Sequence, residues 1–228
     1  MATAYFFELI TKMTAAETDQ DHIEILLHSK PQIPDRTRCI LGESSESPLP
    51  DLIRIAKELK ALGADVLAVP CITSHYFRKE IESQAGIYMI DTLEETALCL
   101  ETAGVKAAGI LATSGTVRCG LLQRTLEEHN IDVILPSRED QAGVMSVIYD
   151  YIKAGKQPPM EMFQGIADRV KKAGANVLLL GCTELPLIKK DINAAGEFPS
   201  GCLDMLEVLA RASVLACGSL KEEYKTLL

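Results

Sequence analysis

The sequence lacks the long apolar runs that place a chain in or across a membrane. No stretch approaches the roughly 20 consecutive apolar residues that a membrane-spanning helix needs. The first residues, MATAYFFELITKMTAAETDQ, have no basic segment ahead of their apolar positions and so do not resemble a signal peptide. Phe6, Phe7, Ile10 and Met13 instead recur at helical spacing, which predicts an amphipathic core helix. We expect a cytoplasmic protein that makes no contact with a membrane.

Positive charge is also scarce. The chain has 23 Lys and Arg residues against 32 Asp and Glu residues, a net charge of -9, and no basic stripe. Because nucleic-acid binding depends on clustered Lys and Arg, we expect no nucleic-acid partner. Small anions remain possible ligands, since helix N-termini attract them.

The cysteines lack the spacing of disulfide or zinc motifs. They are seven in number, scattered, and without a C-x-x-C pair. With no export signal, we interpret them as reduced thiols. His75 lies four residues after Cys71, but a structural zinc site needs four ligands, so we interpret His75 as a surface histidine and expect no metal.

What the sequence does contain is a regular alternation of short apolar runs and helical segments. Runs typical of strands occupy residues 23–28, 66–70, 87–90, 107–112, 131–136 and 176–181. Helical periodicity lies between them, as in residues 48–63, where Leu52, Ile55, Ala56 and Leu59 share one face. The alternation predicts an α/β fold with parallel sheets flanked by helices. With 228 residues and 47% apolar content, the chain can fill one large domain or two lobes.

One segment occurs twice. GADVLAVPC at 63–71 and GANVLLLGC at 174–182 superpose after a shift of 111 residues without gaps. The repeat predicts two similar lobes related by a pseudo-twofold axis, packed together because no Ser/Gly-rich linker separates them. We assign the N-terminal lobe to residues 1–100, completed by 203–228, and the C-terminal lobe to residues 101–202. Each repeat ends in a cysteine at the carboxyl end of a strand, where open α/β sheets bind ligands.

The repeated cysteines, Cys71 and Cys182, are candidate acid/base groups. Two lobes related by a pseudo-twofold axis would place them on opposite walls of one cleft. A racemase needs this arrangement, because one group removes a proton from one face of a carbon and the other delivers a proton to the opposite face. Two interacting thiols titrate as a pair, which favours a state with one thiolate and one thiol. Small buried packing residues are our interpretation of the other cysteines, Cys39, Cys99, Cys119, Cys202 and Cys217.

Several short motifs resemble a known family. They are PQIPDRT at 31–37, PCITSHYF at 70–77, LATSGTV at 111–117, YIKAGK at 151–156 and GCTE at 181–184. In this order they are similar to the aspartate/glutamate racemases that work without pyridoxal phosphate. The similarity extends from about residue 1 to about residue 190. The combination is specific, whereas any one motif would be a weak signal.

The resemblance implies roles for individual residues. Cys71 and Cys182 would be the paired acid and base, and Arg36 and Lys153 would hold substrate carboxylates. The threonines that would orient the amino acid are Thr73, Thr116 and Thr183. No cofactor is implied, the partner is a small amino-acid substrate, and we expect a homodimer.

The same residues carry weaker signals when they are considered without the family. Arg36 lies in a turn, where a surface role and an anion site are equally plausible, although a guanidinium suits a carboxylate well. Lys153 flanks a glycine turn and would by default be solvated. Thr73 and Thr183 follow strand ends and could cap helices or touch ligand. Glu184 could influence the Cys182 thiol, but helix capping is the interpretation that we favour.

Two departures from the family pattern affect the first lobe. Ile72 stands where the family has an asparagine, which removes a substrate-binding amide. The chain also begins inside the pattern, without the first strand and the Gly-rich loop, so we interpret it as a truncated or decayed member. A missing central strand leaves ladder groups unpaired, at a cost of about 1 to 3 kcal/mol for each buried group. Either the neighbours close up, or water or another segment fills the gap.

The leading hypothesis is therefore an amino-acid racemase that interconverts L- and D-aspartate, with glutamate as the second substrate, by two-base proton transfer between cysteines. One alternative is a related two-cysteine isomerase or racemase of another small dicarboxylate or a hydantoin. The other alternative is a homologue that binds small anions and has lost turnover.

Overall fold

A computed structural model describes residues 2–191 and 198–228, without the side chains of residues 189–191. The α-helices are α1 (Ala2–Met13), α2 (Arg36–Leu41), α3 (Leu49–Ala61), α4 (Arg78–Ala85), α5 (Thr92–Thr102), α6 (Ser114–Cys119), α7 (Leu121–Glu128), α8 (Arg138–Ser146), α9 (Met160–Lys172), α10 (Leu185–Asp191) and α11 (Met205–Cys217). Shorter helices are the 3₁₀ turns Asp19–Asp21, Ile72–Phe77 and Glu222–Tyr224 and the π-helix Val147–Ile152. No helix within these residues is long and apolar enough to cross a bilayer.

The strands form two parallel sheets. The strands are β1 (Val66–Leu67), β2 (Tyr88–Met89), β3 (Ala107–Leu111), β4 (Asp132–Ile134), β5 (Val177–Leu180) and β6 (Cys202–Asp204). The first sheet pairs β1 with β2, and the second sheet has the order β4-β3-β5-β6. The registers align Val66 with Tyr88 in the first sheet and Ala108 with Val177 in the second. The predicted α/β fold of parallel sheets flanked by helices is confirmed.

The second sheet is buried on both faces. Its two central strands, β3 and β5, supply side chains to two separate core clusters, one on each face of the sheet. Ile110 and Leu179 pack towards α5 and α7, and Leu178 and Leu180 pack towards α9. This is why both strands are continuous apolar runs, since a parallel sheet covered by helices needs no polar face.

The first sheet is also sandwiched between helices. Val66 packs with α1 and α11 on one face, whereas Leu67 packs with α3 and α4 on the other. Asp91 and Asp204 cap the helices that follow the strands β2 and β6, since their carboxylates accept hydrogen bonds from the first backbone N–H groups of α5 and α11. The boundaries that we assigned between the two lobes, near residues 100 and 203, stay a prediction.

Two expectations for the first lobe are wrong. Residues 23–28 form no strand, and they pair with no other strand in the described chain. Phe7 is 46% exposed although it was expected in the core. Leu9 takes its place with Phe6, Ile10 and Met13 on the buried face of α1.

Candidate active site

A cavity of about 980 Å³ separates the two lobes at the carboxyl ends of β1 and β5. Six of the seven residues that the sequence singled out line it, namely Arg36, Cys71, Thr73, Lys153, Cys182 and Thr183. The seventh, Thr116, is buried directly behind the wall. The fold therefore brings the predicted set to one place, although the roles of these residues stay predictions.

Cys71 lies beside a positive charge. It follows β1 and precedes the 3₁₀ turn Ile72–Phe77, in extended conformation. The Arg36 guanidinium is next to its sulfur, and the negative form of Cys71 raises the pKa of Arg36, against the opposite effect of burial. The Arg36 side chain is held in position because its Nη1 donates hydrogen bonds to the carbonyl oxygens of Ile33 and Pro34. The guanidinium of Arg36 is therefore held in position beside the Cys71 sulfur.

Cys182 lies beside a negative charge. Its side chain is buried after β5, and its thiol donates a hydrogen bond to Glu184 Oε2 at 2.9 Å. Burial first, and then the Glu184 carboxylate, raise the pKa of Cys182 well above its ordinary value, although Lys153 opposes the shift. Glu184 thus acts on the thiol, and its role at the start of α10 stays a prediction. Cys182 keeps its proton in this state of the protein.

Lys153 is held at the end of the π-helix on the second lobe. Its Nζ lies 4.0 Å from the centre of the Tyr149 ring and 3.9 Å from Asp35 Oδ2. Partial burial lowers the pKa of Lys153, but Glu184, Tyr149, Cys182 and Asp35 together raise it above its ordinary value. The lysine is therefore a cation placed beside Tyr149 and Asp35 between the two lobes, although it keeps contact with solvent.

Asp35 connects the lobes and was missed by the sequence analysis. Tyr149 on the second lobe donates a hydrogen bond of 2.9 Å to its Oδ2. Burial raises the pKa of Asp35, but the N–H of Arg38, the Tyr149 hydroxyl and the charge of Lys153 outweigh this and hold the pKa below its usual range. The motif PQIPDRT contains Asp35, yet its partners lie more than a hundred residues away and no local pattern indicates them.

Four threonine hydroxyls form a buried cluster across the same junction. The pairs Thr73–Thr116 and Thr37–Thr113 lie 3.0 and 3.1 Å apart. Thr37 and Thr113 were missed, although Thr113 has the position of a helix cap and does accept from the N–H of Thr116. Here α2 and α6 approach so closely that a Cβ at Gly115 would lie 2.8 Å from the Cα of Thr37.

Thr183 and Ile72 are neighbours of the two cysteines. The Thr183 hydroxyl donates a hydrogen bond to Glu184 Oε2. Ile72 is buried in the core cluster that includes Leu93 and Leu100. The side chain after Cys71 therefore contributes to packing, where the family pattern has an amide.

Contrary to our expectation, His75 is not a surface residue. Its side chain is buried between the 3₁₀ turn, Arg78 and Asp91, with neither ring nitrogen hydrogen-bonded within the described residues. Burial lowers the pKa of His75 to about 4, partly offset by the charge of Asp91. His75 is therefore neutral at pH 7, and the first-turn position concealed its burial.

The remaining thiols are mostly packing residues, as expected. The cysteines of the described residues form no disulfide. Cys39, Cys99 and Cys202 contact hydrophobic core clusters, and the Cys119 thiol donates to the carbonyl oxygen of Thr116. Cys217 is an exception because it is exposed at the end of α11. No group of three or more His, Cys, Asp or Glu side chains suited to a metal occurs in the two described segments.

Comparison with known proteins identifies the family. The family model for Asp/Glu/Hydantoin racemase matches residues 1–213. The chain belongs to this racemase family. It is thus an enzyme of the isomerase class.

Individual relatives of this racemase act on different amino acids. The structure of the aspartate racemase from Picrophilus torridus is 32% identical with a TM-score of 0.83, over 98% of this chain and 93% of the other. The broad specificity amino-acid racemase RacX from Bacillus subtilis is 25% identical over 89% of this chain and 86% of its own length. A glutamate racemase from Aquifex pyrophilus is 29% identical over 59% of this chain and 52% of its own length.

Proposed function

We propose that this racemase interconverts L- and D-aspartate, with glutamate as a second substrate, by two-base proton transfer between Cys71 and Cys182. The observation that carries the proposal is the pair of thiols at equivalent strand ends of the two lobes, facing one cavity with oppositely charged neighbours. The 32% identity with the Picrophilus torridus aspartate racemase supports aspartate as the first substrate.

Substrate binding is assigned to the cations of the cavity. Arg36 has two donors in a planar fork, which suits one carboxylate of a dicarboxylic amino acid. Lys153 suits the other carboxylate. Its ammonium group lies near Cys182 and is 3.9 Å from Asp35 Oδ2, which leaves its N–H donors available for a substrate oxygen. Thr73 and Thr183 line the same cavity as the thiols, and we assign the orientation of the α-amino group to their hydroxyls.

The proton steps follow from the unlike neighbours of the two thiols. Arg36 stabilises an anion at Cys71, whereas Glu184 opposes an anion at Cys182. In one direction, the Cys71 thiolate removes the α-proton and its sulfur forms an S–H bond. The carbanion then takes the proton of the Cys182 thiol on its opposite face, which leaves a thiolate at Cys182. The reverse reaction begins from that second state. No cofactor takes part in this mechanism, and a homodimer stays our expectation.

A second candidate function is binding without turnover. Ile72 replaces the expected amide, and the cavity is large for a small amino acid, since whole ligand pockets measure about 300 to 1,000 Å³. A substrate that is not enclosed stays hydrated, which weakens the electrostatic interactions that stabilise a carbanion. These two features favour a protein that retains the anion site and has lost catalysis.

One experiment distinguishes the two functions. Purified protein is mixed with L-aspartate in heavy water, and the α-proton signal is followed by NMR while chiral chromatography follows D-aspartate. Loss of the signal together with D-aspartate formation supports the racemase. Shifts of the aspartate signals without exchange would support binding alone and contradict the proposed reaction. The Cys99→Ser variant is the matched control, because Cys99 packs away from the cavity.

A further inference from the structure

Strand β2 (Tyr88–Met89) is the outer strand of the first sheet. Among the described residues it pairs with one strand, β1, on one side only. The second sheet has the same arrangement, because β6 follows β5 in the chain and is the last strand of that sheet. The outer side of such a strand presents backbone N–H and C=O groups with which another strand can pair.

Met89 is the residue of β2 that faces this outer side. The N–H of Ile90 donates a hydrogen bond of 2.9 Å to the carbonyl oxygen of Leu67, so the backbone of Ile90 faces β1. Successive residues of a strand point their backbone groups to opposite sides, and those of Met89 therefore point away from β1. Met89 is nevertheless fully buried, and buried backbone groups need hydrogen-bond partners.

Two side chains of helix α4 supply both partners. The N–H of Met89 donates to Glu82 Oε1 at 2.9 Å, and Arg78 Nε donates to the carbonyl oxygen of Met89 at 3.0 Å. The two side chains also pair with each other, because Arg78 Nη2 lies 3.2 Å from Glu82 Oε1. We call Arg78 and Glu82 the edge cover, since they occupy the hydrogen-bonding positions that a neighbouring strand would use.

Further contacts hold the edge cover in place. Arg78 Nη1 donates a hydrogen bond of 2.7 Å to Asp91 Oδ2, and the guanidinium lies 5.7 Å from the centre of the Tyr88 ring. The side chains of Arg78 and Glu82 are only 22% and 25% exposed. The guanidinium therefore lies fixed across the edge of β2, unlike the cation of an ordinary surface ion pair.

We propose that the outer edge of β2 is a self-association surface that the edge cover keeps closed. Without the cover, Met89 presents one donor and one acceptor on the same side, and Met89 of a second copy presents the same two groups. Antiparallel approach about a twofold axis would join them through two N–H···O bonds, so a second copy of this chain is the partner that fits. Tyr88, which is 54% exposed, would add apolar contact. The homodimer that we expect therefore does not use this edge.

Removal of the edge cover tests the proposal. NMR measures hydrogen exchange of the Met89 amide in wild type and in the Arg78→Ala/Glu82→Ala variant, and sedimentation velocity measures the mass of both. At about 10 µM, this amide should exchange at least roughly tenfold faster in the variant. When the concentration is raised about fiftyfold, protection should return and the variant should sediment at twice the mass of wild type.

Matched variants separate the edge cover from the general loss of an ion pair. Arg54 and Glu58 on α3 form a pair with the same spacing, so Arg54→Ala/Glu58→Ala should behave as wild type. Glu82→Gln keeps an oxygen that accepts from the Met89 N–H and should keep the edge closed, whereas Glu82→Ala should speed the exchange. The two Glu82 variants also test the proposal if the loss of Arg78, which pairs with Asp91, prevents folding.

A charge on β2 locates the contact. In the Arg78→Ala/Glu82→Ala background, Tyr88→Lys should abolish association, because two like charges would meet at the contact between the copies. Tyr76 lies on the 3₁₀ turn and is 49% exposed, so Tyr76→Lys in the same background should leave association unchanged.

Three results would overturn the proposal. The first is exchange of the Met89 amide at the wild-type rate after removal of the edge cover, which would mean that the cover does not close the edge. The second is faster exchange with no association at the highest soluble concentration, which would mean that the open edge does not bind a second copy. The third is association that persists with Tyr88→Lys, which would place the contact elsewhere.

Discussion

The two sheets of this racemase contain equivalent strands of the sequence repeat, but these strands differ in the number of neighbouring strands that pair with them. In the second sheet, β5 lies between β3 and β6 and is buried along its full length. In the first sheet, the equivalent β1 pairs with β2 alone among the residues that the structure describes, and the cavity between the lobes borders it. The same sequence repeat thus gives a closed core in one lobe and an accessible edge in the other.

The two cysteines repeat this contrast in charge. Cys71 has a guanidinium beside it and is partly exposed, whereas Cys182 has a carboxylate beside it and is buried. Similar backbone positions therefore hold thiols with opposite electrostatic surroundings. A reaction that needs one acid and one base at the same time benefits from such a difference.

Replacing either thiol should have the largest effect. If each cysteine serves one face of the α-carbon, Cys71→Ser and Cys182→Ser should each lower racemisation by about 10²- to 10⁴-fold, because a hydroxyl is too weak an acid and base. Chiral chromatography measures the loss, and circular dichroism checks that each near-isosteric variant folds. Exchange of the α-proton with heavy water should persist for L-aspartate in one variant and for D-aspartate in the other.

The Cys99→Ser variant should remain active and provides the matched control. A Cys71→Ser or Cys182→Ser enzyme with near wild-type racemisation would contradict the two-base mechanism.

Truncation of equivalent core regions compares the packing of the two lobes. Leu179 in β5 is fully buried, and Leu179→Ala should lower the free energy of unfolding by about 4 kcal/mol, since large cavities cost 2 to 5 kcal/mol. Leu67 in β1 borders the open edge, so Leu67→Ala should cost about 2 kcal/mol. Urea unfolding measures both. Equal losses would mean that the first sheet is packed as tightly as the second.

Acid should destabilise the first lobe through His75. The folded pKa of about 4 lies below the ordinary value of 6.5, so the unfolded chain binds the proton more tightly. The contribution of His75 to stability is complete above pH 6.5 and is lost as the pH falls towards 4. Between pH 7.5 and pH 5 the loss should be about 2 kcal/mol.

Urea unfolding of wild type and His75→Gln at both pH values measures this loss. The variant should lack that part of the pH dependence. His129 has a raised pKa because of hydrogen bonds to Glu101 and Glu94, so the His129→Gln control should change the pH dependence in the opposite sense. In the second copy of the sequence repeat, the position equivalent to His75 is occupied by Pro186, which has no titratable group.

The smallest effect concerns the carboxylate beside Cys182. Glu184→Gln removes a charge that raises the pKa of this thiol, although burial still raises it. Alkylation of Cys182 by iodoacetamide should therefore become a few-fold faster at pH 8, as measured by mass spectrometry. Cys119, whose pKa is raised mainly by burial, should react at the wild-type rate. Slower alkylation of Cys182 would mean that Glu184 activates the thiol.

The residues that the sequence predicted well have a signal within a few positions. Cys71 and Cys182 were found because the repeat places both after a buried strand, and helix α3 was found from its apolar face. Lys153 and Arg36 were singled out only by resemblance, since nothing beside them in the sequence distinguishes a held cation from a solvated one.

The residues that sequence reasoning missed depend on distant partners. Asp35 meets Tyr149 across the lobes, and Thr37 meets Thr113, so their roles exist only after the lobes pack. Residues 23–28 have the composition of a strand, but a strand also needs a neighbour to pair with. His75 was misplaced because its burial comes from elements that lie on both sides of it in space.

Gly115 has no side chain at the point where helices α2 and α6 of the two lobes meet. A single added methyl group there would overlap the main chain of Thr37, and backbone atoms have nowhere to rotate. The two lobes would have to move apart at this contact to make room for the added methyl group. Arg36 is the residue before Thr37 and belongs to the same lobe as Cys71, so such a movement would carry both away from Cys182 on the other lobe. The absence of a methyl group at Gly115 thus allows the two lobes to approach closely enough for both halves of the site to contact one substrate.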